Sequence, residues 1–504
     1  LSDSPDLGRT PADRRALVAV DLGAESCRVS LLRWRDGRPQ FAVVHRFDNR
    51  PREVDGGLRW DLRRIEAGID DGVRKAAEIA TEGIRSIAVD GWAVDYVRLN
   101  DDGSPVADPF CYRDERTVHA FGSVHGKCSP DRMHALTGVQ QLRINTLYQL
   151  HADHLAGLHH DRPWLNLPEY MLARWGGDRV AELTNATHTQ LVKLGKAEWC
   201  EEIFHAVGID PDVAAKIVQP GAIVGKLHGS LAKLSALRDT LLIAPACHDT
   251  ASAIAGIGAA GDDWAYISSG TWSLVGTVLN EPCNSPAVRA ENFTNLGGVG
   301  NRICFHKNVN GMWLLRQCIE QWSIEGRDWI VKDLVAEAEH ATLPPDLIDA
   351  EALLDPNALI DVDDSDLLLQ GHMPARINAQ RAARGLAALD ERPANAPQFA
   401  LLIFHSLAAR YAEVLARISE LSGKNFKRLY IVGGGSQNDL LNRLTAAATG
   451  LEVHRGAVES STIGNFAVQL AALNQDRNGG NGVSAKAVSA WATLLGSAHH
   501  TAAG

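Results

Sequence analysis

The 504-residue chain reads as an α/β protein made of two related domains. Three observations lead there. Apolar runs of strand length alternate with segments of helical spacing along most of the chain. The length exceeds what one hydrophobic core serves, so two or more domains are expected. An opening strand–turn–strand pattern at 16–34 is echoed at Asp263–Leu279, with Gly23 aligned to Gly270 and Ser26 to Ser273. Such an echo is what a duplicated domain leaves behind.

In order, Ala16–Asp21 is an apolar run that ends in a carboxylate, Leu22–Arg28 is a small-residue turn, and Val29–Trp34 returns as a strand. Phe41–Phe47 is a third strand, Leu62–Ala80 has helical spacing, and Ile84–Asp90 is a strand followed by Gly91-Trp92-Ala93-Val94-Asp95. Pro168–Trp175 and Ala181–Gln190 are less periodic and are expected around the mouth of a site. Leu241–Ala244 reads as a buried strand, and a helix of small residues starts at Thr250. Ala341–Pro397, rich in Pro, Asp and Ala, is expected as a surface excursion with short helices. Gln398–Leu421 is a helix capped at Ser422-Gly423, Leu429–Val432 a strand, and Asp439–Thr449 a helix stopped by Gly450. The tail after Asn474 is expected to fray. Domain boundaries follow as 16–257, 258–475 and a flexible tail at 476–504.

Bulk properties exclude several classes. A net charge of −11 without a long Lys/Arg run argues against a nucleic-acid partner. No apolar stretch reaches the ~18 residues of a membrane span, so no membrane partner is expected. Leu1–Arg15 is polar and has no apolar h-region, which argues against a secretory signal. The eight cysteines form no C-x-x-C pair, which argues against a zinc ribbon and a thioredoxin site and fits reduced thiols in the cytoplasm. Composition leaves the oligomeric state open between a monomer and a small homo-oligomer.

The chemistry lies in loops that follow strands. Asp249 stands where a strand ends and a helix begins, a place where open α/β sheets bind ligands. It is suited to be a general base that removes a proton from a substrate hydroxyl, and equally to cap the helix. The turn Asp21–Arg28 and the hairpin tip Ser268–Ser273 offer backbone N–H groups to phosphate oxygens. Asp21 can orient Mg²⁺ through water, and Arg28 can pair with phosphate. Gly433–Asn438 lets a backbone approach a base or ribose, although Asn438 replaces the last Gly of a dinucleotide fingerprint. Trp92 offers a flat apolar face, and Asp95, Arg113, Asp114 and His248 offer donors and acceptors, the mixture that sugar recognition needs. A Walker A motif and a G-x-S-x-G elbow are absent from the sequence.

Two hairpin phosphate loops, a Gly-rich adenosine loop and an Asp base between domains resemble the FGGY carbohydrate kinases. Segments from about Leu17 to Leu473 carry the resemblance, among them Ser268–Ser273 and His306–Leu315. It implies two actin/hexokinase-like (ribonuclease H-like) domains with a cleft between them. Within the family the chain resembles most the branch that phosphorylates L-rhamnulose. The resemblance implies Asp249 as proton acceptor and His248, Asp249, Thr250, Asn308 and position 93 on the ketose. It implies Ala24, Glu25, Ser26, Cys27, Arg28, Thr271, position 316 and Gly434 on ATP. Three departures stand out. Glu25 and Cys27 break the usual Ala-Ser-Ser-Gly-Arg loop, Ala93 replaces a Gly, and Arg316 replaces a Gln. Glu25 adds like charge near phosphates. A kinase for L-fuculose, L-ribulose, L-xylulose or a polyol, and an actin- or Hsp70-like ATPase governed by a partner, remain as alternatives.

Overall fold

The computed structural model describes residues 11–342, 355–474 and 482–502. Its first six-stranded sheet consists of β1 (Ala16–Leu22), β2 (Ser26–Arg35), β3 (Arg38–Asp48), β4 (Ile84–Gly91), β5 (Ala222–Lys226) and β6 (Leu241–Ala244). Their order is β5-β6-β4-β1-β2-β3. β1 and β2 form the antiparallel hairpin, while β4 runs parallel to both β1 and β6. β1 is buried along its whole length, which is why it reads as an unbroken apolar run.

The second six-stranded sheet consists of β7 (Trp264–Ser269), β8 (Trp272–Leu279), β9 (Thr294–Gly297), β10 (Ile303–Asn310), β11 (Arg428–Val432) and β12 (Glu452–Arg455). Their order is β9-β10-β8-β7-β11-β12. β7 and β8 pair antiparallel, and β11 runs parallel to β7 and β12. Each sheet opens with a hairpin, places its next long strand outside the second strand, and adds parallel strands beside the first. The echo between the two hairpins in the sequence is thus an echo of topology.

The chain gathers into two compact units. The first holds the described residues of Leu1–Ala260, Val278–Phe305 and Glu459–Gly504, and the second holds those of Gly261–Thr277 and His306–Val458. A linear division near 257 and 475 is therefore crossed twice. The helix Ser460–Leu473 joins the first unit through side-chain bonds to the first sheet. Gln469 Nε2 donates to the Val18 carbonyl at 3.1 Å, and Ser86 Oγ donates to Gln469 Oε1 at 2.6 Å.

Three expectations are corrected. The tail does not fray throughout: Ala485–Ala502 is a helix that buries Val488, Trp491, Ala492 and Leu495. Their spacing places one apolar stripe on the first unit, with Trp491 edge-on to Trp34 at 6.4 Å. The stretch 341–397 is not a surface excursion where described. Its short helices are present, yet Val362, Leu367, Met373 and Ile377 are buried in the second unit; residues 343–354 lie outside the described residues. Finally, Ala396–Ser422 belongs to a helical stretch long and apolar enough to cross a membrane by length and composition. Its apolar side chains, Phe399, Leu402 and Phe404 among them, are buried, as in a core helix of the second unit.

Candidate active site

In the first unit, a row of charged residues runs across the ends of adjacent strands. Asp90 on β4 pairs in register with Asp21 on β1, Asp21 with Arg28 on β2, and Arg28 with Arg46 on β3. Pleating puts register partners on the same face. The helix Ser460–Leu473 and the residue before it supply their partners. Glu459 holds Arg28 and Arg46, Ser461 Oγ donates to Asp21 Oδ2 at 2.6 Å, and Asn465 Nδ2 donates to Asp90 Oδ2 at 2.6 Å. Arg28 Nε also lies 3.1 Å from Asp21 Oδ2. Burial and the charge of Asp21 push the Asp90 carboxyl well above the usual range. Asp90 Oδ1 has no hydrogen-bond partner among the described residues.

Asp249 is the first residue of the helix Asp249–Ala255, and His248 occupies the N-cap position. Asp249 is therefore not the cap. Its Oδ1 accepts from Thr250 Oγ1 at 3.2 Å and lies 3.3 Å from His248 Nε2, while its side chain keeps about a third of its surface, 34%. Burial and the Asp21 charge push the Asp249 carboxyl up to about 7, against the Thr250 hydrogen bonds and Arg28. The short helix is held by a close crossing with Ser460–Leu473. A Cβ on Gly464 would sit 1.8 Å from the Ser252 carbonyl oxygen, so the glycine is what lets the two backbones touch.

Of the polar groups around Trp92, Asp95 and Asp114 are engaged inside the protein, while Arg113 is exposed. Trp92 is 6% exposed and packs on Trp60 with ring centroids 4.6 Å apart. Asp95 accepts from Trp60 Nε1, Trp92 Nε1, the Tyr112 backbone N–H and Gln149 Nε2. Asp114 accepts from the backbone N–H groups of Leu58 and Arg116. Ala93 is buried in the loop after β4, where Gly91 N–H bonds Cys247 O and Trp92 N–H bonds Leu22 O. That loop turns tightly at Val94, whose φ of 72° is unusual for a β-branched residue.

The phosphate-loop candidates divide. Glu25 is exposed and Ala24 and Ser26 are half-buried, whereas Cys27 is buried with its thiol toward Gly23 O. Burial works against the Arg113 cation, but the Tyr112 phenol and the Glu25 carboxylate outweigh it. Glu25 therefore has a cationic counterpart.

Thr271, Asn308, Arg316 and Gly434 belong to the second unit. Thr271 O accepts from Trp313 N–H at 3.2 Å, which sets the start of the helix Trp313–Ile324 beside the hairpin tip. Arg316 on that helix pairs with Glu320 at 3.2 Å. Asn308 lies on β10. Gly435 packs its Cα against Ser269, where a Cβ would come within 1.9 Å of Oγ, while a Cβ on Gly434 would meet nothing within 4 Å. The loop is thus closed on the sheet side at Gly435 and open at Gly434. Asn438 caps the helix Asp439–Thr449 by accepting from Leu441 N–H at 3.0 Å. Ser273 is taken up by Tyr411, oxygen to oxygen at 2.6 Å.

The FGGY family N-terminal domain profile matches residues 16–256 and the C-terminal domain profile matches 265–473. The chain belongs to the FGGY family of carbohydrate kinases. It is 38% identical over 464 residues to a rhamnulokinase of Pectobacterium carotovorum, covering 91% of this chain and 88% of that one. It is 34% identical over 466 residues to a rhamnulokinase of Bacteroides thetaiotaomicron, covering 92% of both. Its fold matches a xylulose kinase from Rhodospirillum rubrum (TM-score 0.72, 14% identity, 97% of this chain and 98% of that one). A gluconate kinase from Lactobacillus acidophilus gives a TM-score of 0.71 at 14% identity, covering 96% and 97%. An FGGY carbohydrate kinase transfers phosphate to a sugar, which sets aside the partner-governed ATPase.

The sequence reading missed Glu459, Ser461 and Asn465, which hold the charged row, and Glu169, Glu182 and Thr184 behind the Asp249 loop. A signal for the first group was present: Ser461, Asn465 and Gln469 recur every fourth residue, and from Ile463 onward Asn465 and Gln469 are the polar side chains of the helix. The second group lies in the segments expected at the mouth of a site. Leu167–Leu172 and Val180–Ala186 are instead buried, and they are aperiodic because every face is covered.

Proposed function

We propose that this kinase phosphorylates L-rhamnulose at its primary hydroxyl with ATP, giving L-rhamnulose 1-phosphate in L-rhamnose breakdown, with Asp249 as general base. The observation that carries the reaction is Asp249 itself: a partly exposed carboxylate at the start of the helix that follows β6, pushed up to about 7. A base near the operating pH suits proton removal from an alcohol. Its Oδ1 is occupied by Thr250 and faces His248, which leaves Oδ2 to take the proton as the hydroxyl oxygen attacks phosphorus. The sugar is supported by relatives named rhamnulokinase at 34% and 38% identity.

On this reading His248, Thr250, Ala93 and Asn308 contact the ketose. Ala24–Arg28, Thr271, Arg316 and Gly434 serve the nucleotide, whose developing charge the loop N–H groups and Arg28 would stabilise. Mg²⁺ fits the electrostatics near Asp21. Asp21 raises the cost of charge on both Asp90 and Asp249, and Asp90 Oδ1 is buried without a hydrogen bond among the described residues. Among those residues no group of three or more His, Cys, Asp or Glu can hold a metal. The chain would therefore meet the ion through its water shell, Asp21 first. When bound, the ion supplies charge neutralisation on the phosphates. We place the reaction in the cytoplasm, where buried thiols such as Cys27, Cys111 and Cys247 stay reduced.

The test is sugar-dependent ADP release from Mg·ATP with L-rhamnulose, L-fuculose, L-ribulose, L-xylulose and glycerol. The reading expects L-rhamnulose to give the highest kcat/KM. A preference for another ketose would overturn the substrate and direct attention to Ala93, buried in the loop after β4. ADP release indifferent to sugar would overturn the whole reading.

A further inference from the structure

The turn 246–249 carries His248 and Asp249, and hydrogen bonds from other segments fix its backbone. Ser252 Oγ donates to Ala246 O at 3.0 Å, Gly91 N–H donates to Cys247 O at 2.9 Å, and Ser252 N–H donates to His248 O at 2.9 Å. Two of the turn's donors, the N–H groups of Cys247 and His248, bond side chains from a segment more than sixty residues earlier. Cys247 N–H reaches Glu182 Oε2 at 2.8 Å, and His248 N–H reaches Thr184 Oγ1 at 3.2 Å. The two side chains are themselves joined. Thr184 donates its hydroxyl to Glu182 Oε2 and its N–H to Glu182 Oε1 at 2.9 Å. Behind them Glu169 accepts from Glu182 N–H at 3.1 Å and from Asn185 Nδ2 at 2.9 Å.

Glu182 and Thr184 have no solvent-exposed surface. Placing a carboxylate there is expensive, and burial together with the Glu169 charge pushes Glu182 up to about 8. Packing alone does not call for an acid at such a position; three converging donors do.

We infer that Glu182 and Thr184 are positioning residues: a buried clamp that holds two successive N–H groups of the turn and so sets where His248 and Asp249 point. The inference rests on Asp249 being the base. It assigns Glu182 no contact with substrate. Its effect passes through the backbone of Cys247 and His248, and a small tilt of the short helix Asp249–Ala255 would carry Oδ2 away from the reacting hydroxyl.

The test compares Thr184→Val, Thr184→Ser and Glu182→Gln in the full-length enzyme, with kcat, the KM for sugar and for Mg·ATP, and thermal unfolding measured on each. Val removes the hydroxyl at nearly constant volume, Ser keeps it, and Gln turns one acceptor into a donor facing an N–H. The clamp predicts that Val and Gln lower kcat tenfold or more per folded molecule, with the Mg·ATP KM held within about twofold. Ser should remain within about threefold of the wild type. Wild-type kcat in both Val and Gln would overturn the inference. So would losses in all three variants that merely track the folded fraction. Asp249→Asn, run alongside, separates the two readings: if it turns over normally the base assignment fails, whatever the clamp variants do.

Discussion

Asp249 carries its charge in company that opposes it. Burial and Asp21 push its carboxyl up to about 7, and the Thr250 hydrogen bonds and Arg28 only partly offset them. A base must be ionised to accept a proton, and a raised carboxyl is protonated below its midpoint. Sugar kcat/KM should therefore fall about tenfold per unit below pH 7 and level off above it. A pH–rate profile at saturating Mg·ATP checks this, and a flat profile between pH 5.5 and 8 would contradict it. At this scale the sequence was legible where chemistry sits at a strand end. Asp21, Arg28, His248 and Asp249 were all visible from apolar runs that stop at polar residues. Asp95 and Asp114 were visible as polar groups but not as consumed ones, because their donors come from Trp60, Gln149 and Leu58, distant in the chain. Glu182 and Thr184 were hidden for the same reason.

Elements follow their local patterns closely where one face is buried. The helix Leu62–Ile79 keeps Ile65, Ile69, Val73 and Ala76 inward, and its period gave its bounds nearly to the residue. Patterns failed where burial is all-round, as in Leu167–Leu172. The helix Ser460–Leu473 is the most consequential element. It bonds Asp21 and Asp90 from one face and presses Gly464 against the helix of Asp249. Gly464→Ala introduces a methyl 1.8 Å from the Ser252 oxygen. Backbone must move, which should cost about 1–3 kcal/mol and lower kcat by displacing the helix that starts at Asp249. Urea unfolding with parallel kinetics measures both; an unchanged midpoint and kcat would show that the crossing tolerates the methyl.

At the scale of the molecule, the duplicated hairpin and the α/β class were legible because both are local patterns repeated. The gathering of Val278–Phe305 and Glu459–Gly504 with the first unit was not, since nothing in a segment's own spacing names its distant partner. The last helix illustrates this. Trp491 is 4% exposed and stacks edge-on to Trp34, so Trp491→Ala should cost the first unit about 3–5 kcal/mol, read as a lower first transition in calorimetry. An unshifted transition would detach that helix from the fold's stability. The central claim is a sugar kinase whose phosphoryl acceptor is deprotonated by Asp249. Its most direct test is Asp249→Asn with L-rhamnulose, scoring turnover by ADP release and sugar binding by calorimetry on the same preparation. The account predicts sugar binding within a few-fold of the wild type and turnover lower by about 10²–10⁴. Turnover near the wild-type rate with sugar still bound would remove Asp249 from the reaction.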